Sequence, residues 1–79
     1  MTLQESKKEQ IYIVDDVTLE DKLMVRLQAL GMIPGTQVEI LNQKSNGSMM
    51  IKVRGTRFAI GKQIAAGVKV HEMEKKKNG

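Results

Sequence analysis

The sequence predicts a mainly β fold: a small closed barrel of five to six short antiparallel strands with one inserted α-helix at about residues 18-30. Three observations point there. Beyond residue 36, short runs alternate apolar and polar side chains with period two, and turn residues separate them. One stretch, Leu19 to Leu30, instead spaces its apolar residues for a helix. Between the two lies Leu30-Gly31-Met32-Ile33-Pro34-Gly35-Thr36, which can stop a helix, reverse the chain and launch a strand.

Residues 1–9 are polar and are expected to form a flexible N-terminal segment, with Leu3 the one side chain able to dock. Gln10-Ile11-Tyr12-Ile13-Val14 is rich in β-formers and reads as the first strand, closed by Asp15-Asp16. Thr18 is placed to cap a helix, with Glu20 and Asp21 at its positive end. Leu19, Leu23, Leu27 and Leu30 then line one face, widened by Met24, and are expected to pack on the sheet. Gly31 follows the last of these leucines, where a left-handed backbone suits glycine alone, and Met32 would meet Leu27 in a Schellman ending. Pro34-Gly35 fits the centre of a type II turn. Gly31, Pro34 and Gly35 therefore make a structural corner.

After the corner, Val38 and Ile40 point inward on one strand, and Met49, Ile51 and Val53 do so on the next. Asn46-Gly47 is a strong hairpin signal between them. Met50, Lys52 and Arg54 point outward, and Gly55-Thr56 reads as a turn into Arg57-Phe58-Ala59-Ile60, with Phe58 and Ile60 inward. Gly61 ends that strand, one helical turn fits Ile64-Ala65-Ala66, and Val68 to Glu72 is a last alternating strand. The domain organisation expected is one domain over residues 10-73, with a flexible basic tail at 74-79.

With 79 residues the chain has room for one small core. It has no cysteine, which excludes disulfides and thiolate metal sites. No apolar run approaches the roughly 20 residues that span a bilayer, and the N-terminus lacks the apolar stretch of a signal peptide, so a cytoplasmic location without membrane insertion is expected. Charge is divided unevenly. Residues 1–43 hold four basic and seven acidic side chains, whereas residues 44–79 hold nine basic and two acidic. No acidic residue occurs between Glu39 and Glu72, where Lys44, Lys52, Arg54, Arg57, Lys62 and Lys69 all fall. Such a half suits an anionic partner, and equally a solvated sheet surface whose lysines guard its edges.

Catalytic and metal chemistry find no footing. His71 is the single histidine, and its neighbours Glu72 and Glu74 do not supply converging ligands along a strand. Of the six methionines, Met24, Met32 and Met49 occupy packing positions. Asp15-Asp16 and Glu20-Asp21 are explained by turn and cap chemistry, and Ser6, Ser45 and Ser48 lie in polar segments with no base at hand. The expectation is a non-enzymatic binding module with no cofactor and no metal. Two aromatics, Tyr12 and Phe58, are too few for a proline-rich peptide groove or a base-stacking platform. Nucleic-acid binding through phosphates alone is the competing reading.

Two blocks carry a resemblance. Arg26-Leu27, Leu30-Gly31-Met32, Pro34-Gly35-Thr36, Val38 and Ile40 form the first; Gly47, Ile51, Val53-Arg54-Gly55-Thr56-Arg57-Phe58-Ala59-Ile60-Gly61, Ala65 or Ala66, Val68 and Val70 form the second. In this order and spacing, over about residues 10–72, they resemble the ferrous iron transport protein A (FeoA) family. The resemblance implies an SH3-like barrel with an early inserted helix, and a small cytosolic accessory or regulatory protein of bacterial ferrous iron uptake. The partner it implies is the cytoplasmic, G-protein-bearing domain of the membrane iron transporter. The family term of transition metal ion binding sits poorly with the ligand-poor sequence. The same domain type forms the C-terminal part of some metal-dependent repressors, although no helix-turn-helix pattern precedes the barrel in this sequence. The sequence departs from the family where Lys7-Lys8-Glu9-Gln10 enters the first strand without the usual glycine. The chain is expected to be a monomer that meets its partner through Met50, Lys52, Arg54 and Arg57, with Arg26 contributed by the helix. An arginine lent to phosphoryl transfer is a further reading of Arg26, Arg54 and Arg57.

Overall fold

The computed structural model describes residues 1–73, so the basic tail expected at 74–79 lies outside the described residues. The strands β1 (Ile11–Val17), β2 (Gln37–Gln43), β3 (Met49–Val53), β4 (Thr56–Ile60) and β5 (Val68–Glu72) form one antiparallel sheet. Their order across it is β4-β3-β2-β1-β5. Helix α1 (Asp21–Ala29) joins β1 to β2, and the short α2 (Lys62–Ala66) joins β4 to β5. Register shifts between Val14 and Asp16 on β1, and between Ile40 and Asn42 on β2, bend these strands and curl the sheet about its core.

The barrel is approximate rather than closed, because β4 and β5 are the two edges of the sheet. The outer side of β5 is already occupied. Thr2 bridges Lys69, and the Val70 N–H donates to the Met1 carbonyl at 2.9 Å. Residues 1–9 are thus docked, where composition alone suggests a flexible segment. Leu3 opens a single 3-10 turn (Leu3–Glu5) and is fully buried in the core cluster. The Lys7 N–H donates to the Tyr12 hydroxyl, and the Glu9 N–H to the Ile40 carbonyl, at 2.7 and 2.8 Å. Burial of one leucine and satisfaction of these backbone groups outweigh the polar composition.

The core follows the period-two pattern. Val14, Val38, Ile40, Ile51, Val53, Val68 and Val70 are buried from the strands, with Leu27, Met32 and Ala65 closing the ends. The aromatic roles differ from expectation: Tyr12 is the fully buried ring, and Phe58 packs half-buried at the margin. Tyr12 can enter because its hydroxyl finds the Lys7 amide.

The helix is shorter than residues 18–30. Asp15 and Asp16 do not end β1, which runs on to Val17 through a bulge against β5. Thr18 donates its N–H to the Gly67 carbonyl at 2.7 Å, and Glu20 stands at the N-cap without a side-chain cap bond. The leucine stripe divides: Leu27 is buried, Leu19 and Leu23 are half-buried, and Leu30 is exposed together with Val25. One short helix against a strongly curled sheet reaches the core along a single turn.

Candidate functional site

The corner and the β3–β4 hairpin, far apart in sequence, build one groove. At the end of α1, the Gly31 N–H donates to the Gln28 carbonyl and the Met32 N–H to the Leu27 carbonyl, at 3.0 and 2.9 Å. That double bond pattern is a Schellman ending, and Gly31 takes the left-handed φ of 94° that it requires. Ile33 to Thr36 then form a type II turn: the Thr36 N–H reaches the Ile33 carbonyl at 3.1 Å, with Gly35 at φ 91°. Val14 fastens this turn to β1, since its carbonyl receives the Gly35 N–H and its own N–H donates to the Thr36 carbonyl. The turn holds Pro34 in the open and Ile33 39% exposed, an apolar lip at the surface.

Across from the lip is the hairpin tip. Arg54 and Gly55, with φ of 51° and 82°, make a two-residue turn of type I′ between Val53 and Thr56. The turn is therefore Arg54-Gly55 and not Gly55-Thr56, and Arg54 leaves the outward face of β3. Its side chain lies over the corner instead: a methyl group on Gly31 would stand 3.0 Å from Arg54 Cδ and 3.2 Å from Nε. Ile33, Pro34 and Gly35 on one side, Gln37 and Glu39 below, and Lys52, Arg54 and Gly55 on the other enclose a shallow groove of about 540 Å³.

Beside the groove runs a row of charge. Lys52 is directly opposite Glu39 on β2 and Arg57 on β4, and Met50 is opposite Asn42 and Ala59. Met50 is 39% exposed, Arg54 and Arg57 are exposed, and Lys52 is half-buried. Among the described residues the basic–acidic contact within 4.0 Å is the hydrogen bond between His71 Nδ1 and Asp15 Oδ1 at 2.6 Å, so Lys52, Arg54 and Arg57 have no carboxylate that close. The structure brings Met50, Lys52 and Arg57 onto one face, with Arg54 at its end. Arg26 is not brought there. It is exposed on α1 in a separate hollow lined also by Glu20, Asp21 and Val25.

The partner of His71 was not visible in the sequence, because the bulge in β1 is what carries Asp15 across to β5. Both side chains are about half exposed, and among the described residues no three His, Cys, Asp or Glu side chains gather as a metal site would need. The apolar lip was also missed as part of the site. Its signal was an isoleucine set between Gly31-Met32 and Pro34, just where the chain turns away from the core.

Comparison with known proteins adds the following. Residues 1–72 match the family model described as the FeoA domain. No curated protein matches the sequence. The solution structure of the FeoA protein from Chlorobium tepidum is similar with a TM-score of 0.86 and 25% identity, covering 94% of this chain and 71% of that chain. FeoA from Stenotrophomonas maltophilia, solved with zinc, is similar with a TM-score of 0.79 and 29% identity over 90% of this chain and 89% of that chain. It is described as a prokaryotic SH3 domain protein and a candidate ferrous iron transport activating factor. The apo form of ScaR, a manganese-activated repressor, gives a TM-score of 0.80 at 23% identity, covering 92% of this chain and 35% of that chain. At that identity the likeness is one of fold.

Proposed function

The chain belongs to the FeoA domain family, which is linked to ferrous iron transport, and on that footing we propose a non-enzymatic accessory protein that binds the cytoplasmic domain of a ferrous iron transporter. Family membership across nearly all of the described residues is the observation that carries the reading. The surface is compatible with it. An exposed methionine beside arginines with no ion-pair partner among the described residues has the composition of a protein interface core, which favours Met and Arg over most charged residues. The partner face is Met50, Lys52 and Arg57, continued by Arg54 into the groove, and Arg26 is a peripheral contact at most. The proposed partner domain would place the protein's work in the cytoplasm. The likeness to the repressor is one of fold, so it adds no second function.

The test is a pull-down of the transporter's purified cytoplasmic domain with the chain as bait. Met50→Ser combined with Arg57→Glu should keep the melting temperature and weaken capture. Arg54 is left in place because its stem covers Gly31. Undiminished capture by the double variant would move the interface elsewhere, and absence of capture by the parent chain would remove the proposed partner.

A further inference from the structure

The two edges of the sheet are not alike. The outer side of β5 is covered by Met1 and Thr2, whereas β4 has no such cover among the described residues. Its backbone shows which groups are open. Val53 and Thr56 flank a two-residue turn and are the hydrogen-bonded pair that closes it. Antiparallel alternation then makes Ile51–Phe58 and Met49–Ile60 bonded pairs, and leaves Lys52–Arg57 and Met50–Ala59 unbonded. The N–H and C=O groups of Arg57 and Ala59 consequently point away from β3. Among the described residues no other backbone group bonds to them.

The side chains beside these open groups are also unresolved electrostatically. Lys52 and Arg57 are like charges directly opposite each other, an arrangement that destabilises a strand pair. The row reads Glu39, Lys52, Arg57 from β2 outward, one carboxylate for two cations. A strand added to β4 would place a side chain directly across from Arg57, and a carboxylate there would balance the row at both ends. Two residues along the added strand, a side chain would stand across from Ala59, whose small size leaves Met50 accessible. Arg54 and Lys62 flank β4 at its two ends and extend the positive field.

We infer that the outer edge of β4 docks an extended acidic segment of a protein partner as a sixth strand. The segment is recognised by backbone bonds to Arg57 and Ala59 and by a carboxylate and an apolar side chain two residues apart. This deepens the reading of the Met50–Lys52–Arg57 face as a partner surface, and it stands whether or not the partner is an iron transporter. A second copy of the chain is disfavoured as occupant, because edge-to-edge pairing would bring Arg57 of each copy into one positive cluster.

The probe is a synthetic acetylated peptide in which glutamate and valine stand two residues apart, followed by fluorescence anisotropy and amide hydrogen exchange. Binding should slow exchange at Arg57 and Ala59 and weaken with added salt. Ala59→Pro removes an outward N–H while leaving the β3 ladder intact, as proline on an edge strand can; it should weaken binding roughly tenfold or more. The same peptide N-methylated at its backbone should bind the parent chain markedly more weakly, and this control holds even if the proline variant fails to fold. Equal binding by the N-methylated peptide, no binding by the parent chain, or a dimer in sedimentation that the proline substitution dissolves would each overturn the inference. Offering parent and Ala59→Pro chains to the transporter's cytoplasmic domain separates the two proposals. Peptide binding without transporter binding removes the function proposed above and leaves the edge. Equal capture by both chains, together with peptide binding that the proline substitution does not weaken, removes the edge and leaves the function.

Discussion

Gly31 and Gly35 allow backbone strain and steric crowding to be measured apart. Both hold nearly the same φ, 94° and 91°. They differ in what a methyl group would meet: open space at Gly35, and the Arg54 stem at 3.0 Å at Gly31. Gly35→Ala should therefore show the left-handed penalty alone, about 1–2 kcal/mol. Gly31→Ala should add the displacement of Arg54 from its rotamer, about 0.5–1.5 kcal/mol, for a total of about 1.5–3.5 kcal/mol. In a domain of this size the larger loss lowers the melting temperature by roughly 10–20 °C. Thermal and urea unfolding followed by circular dichroism give both values, and Arg54→Ala supplies the control. In that background the two alanine substitutions should be equally harmful. Equal losses in the parent background would mean that Arg54 does not cover the corner. Losses below about 0.5 kcal/mol at both sites would mean that neither glycine holds a left-handed backbone.

Three further outcomes are expected. Leu3→Ala should destabilise by about 2–4 kcal/mol as a buried large-to-small change does, and a neutral result in urea titration would mean that residues 1–9 are not docked. Gly67→Ala would set a methyl group 2.3 Å from Leu19 Cδ2 and 2.7 Å from the Thr18 carbonyl, and backbone cannot retreat as a side-chain end can. The overpacking should cost about 1–3 kcal/mol, relieved only in part by adding Leu19→Ala, with unfolding midpoints as the measure. Anaerobic calorimetry with ferrous iron should show no stoichiometric micromolar binding, since the described residues offer no three-ligand cluster; a saturating isotherm lost on His71→Ala would contradict this.

What neighbours along the chain decide could be read from the sequence. The alternation in Met49 to Val53 sets which side chains are buried, and Asn46-Gly47 marks a turn whose Gly47 takes a φ of 90°. What distant segments decide could not. Nothing local tells that Leu3 has a core to enter, since its pocket is completed by strands far along the chain. Asp15 and Asp16 have turn-like identities, and only pairing with Lys69 and Val68 on β5 keeps that stretch in a strand. Tyr12 looks like a poor core residue until the Lys7 amide is placed against its hydroxyl. The face bearing Met50, Lys52 and Arg57 follows from strand period once the hairpin is known. Its junction with the corner does not, because it depends on Arg54 occupying a left-handed turn position and folding back over Gly31.

The pairing of β1 with β5 has a consequence for the order in which the molecule assembles. The β2–β3–β4 meander joins strands that follow one another through short turns, and its loop-closure entropy is small. The β1–β5 ladder, with the Thr2–Lys69 bridge beyond it, joins segments more than fifty residues apart. Such long-range contacts slow folding. During synthesis Leu3, Tyr12 and Val14 emerge first, yet they lack their covering until Val68 and Val70 have left the ribosome. The meander is thus the nucleus expected in kinetic experiments. Substitutions at the β1–β5 seam should act chiefly on the unfolding rate, and substitutions in the β2–β3–β4 hairpins on the folding rate.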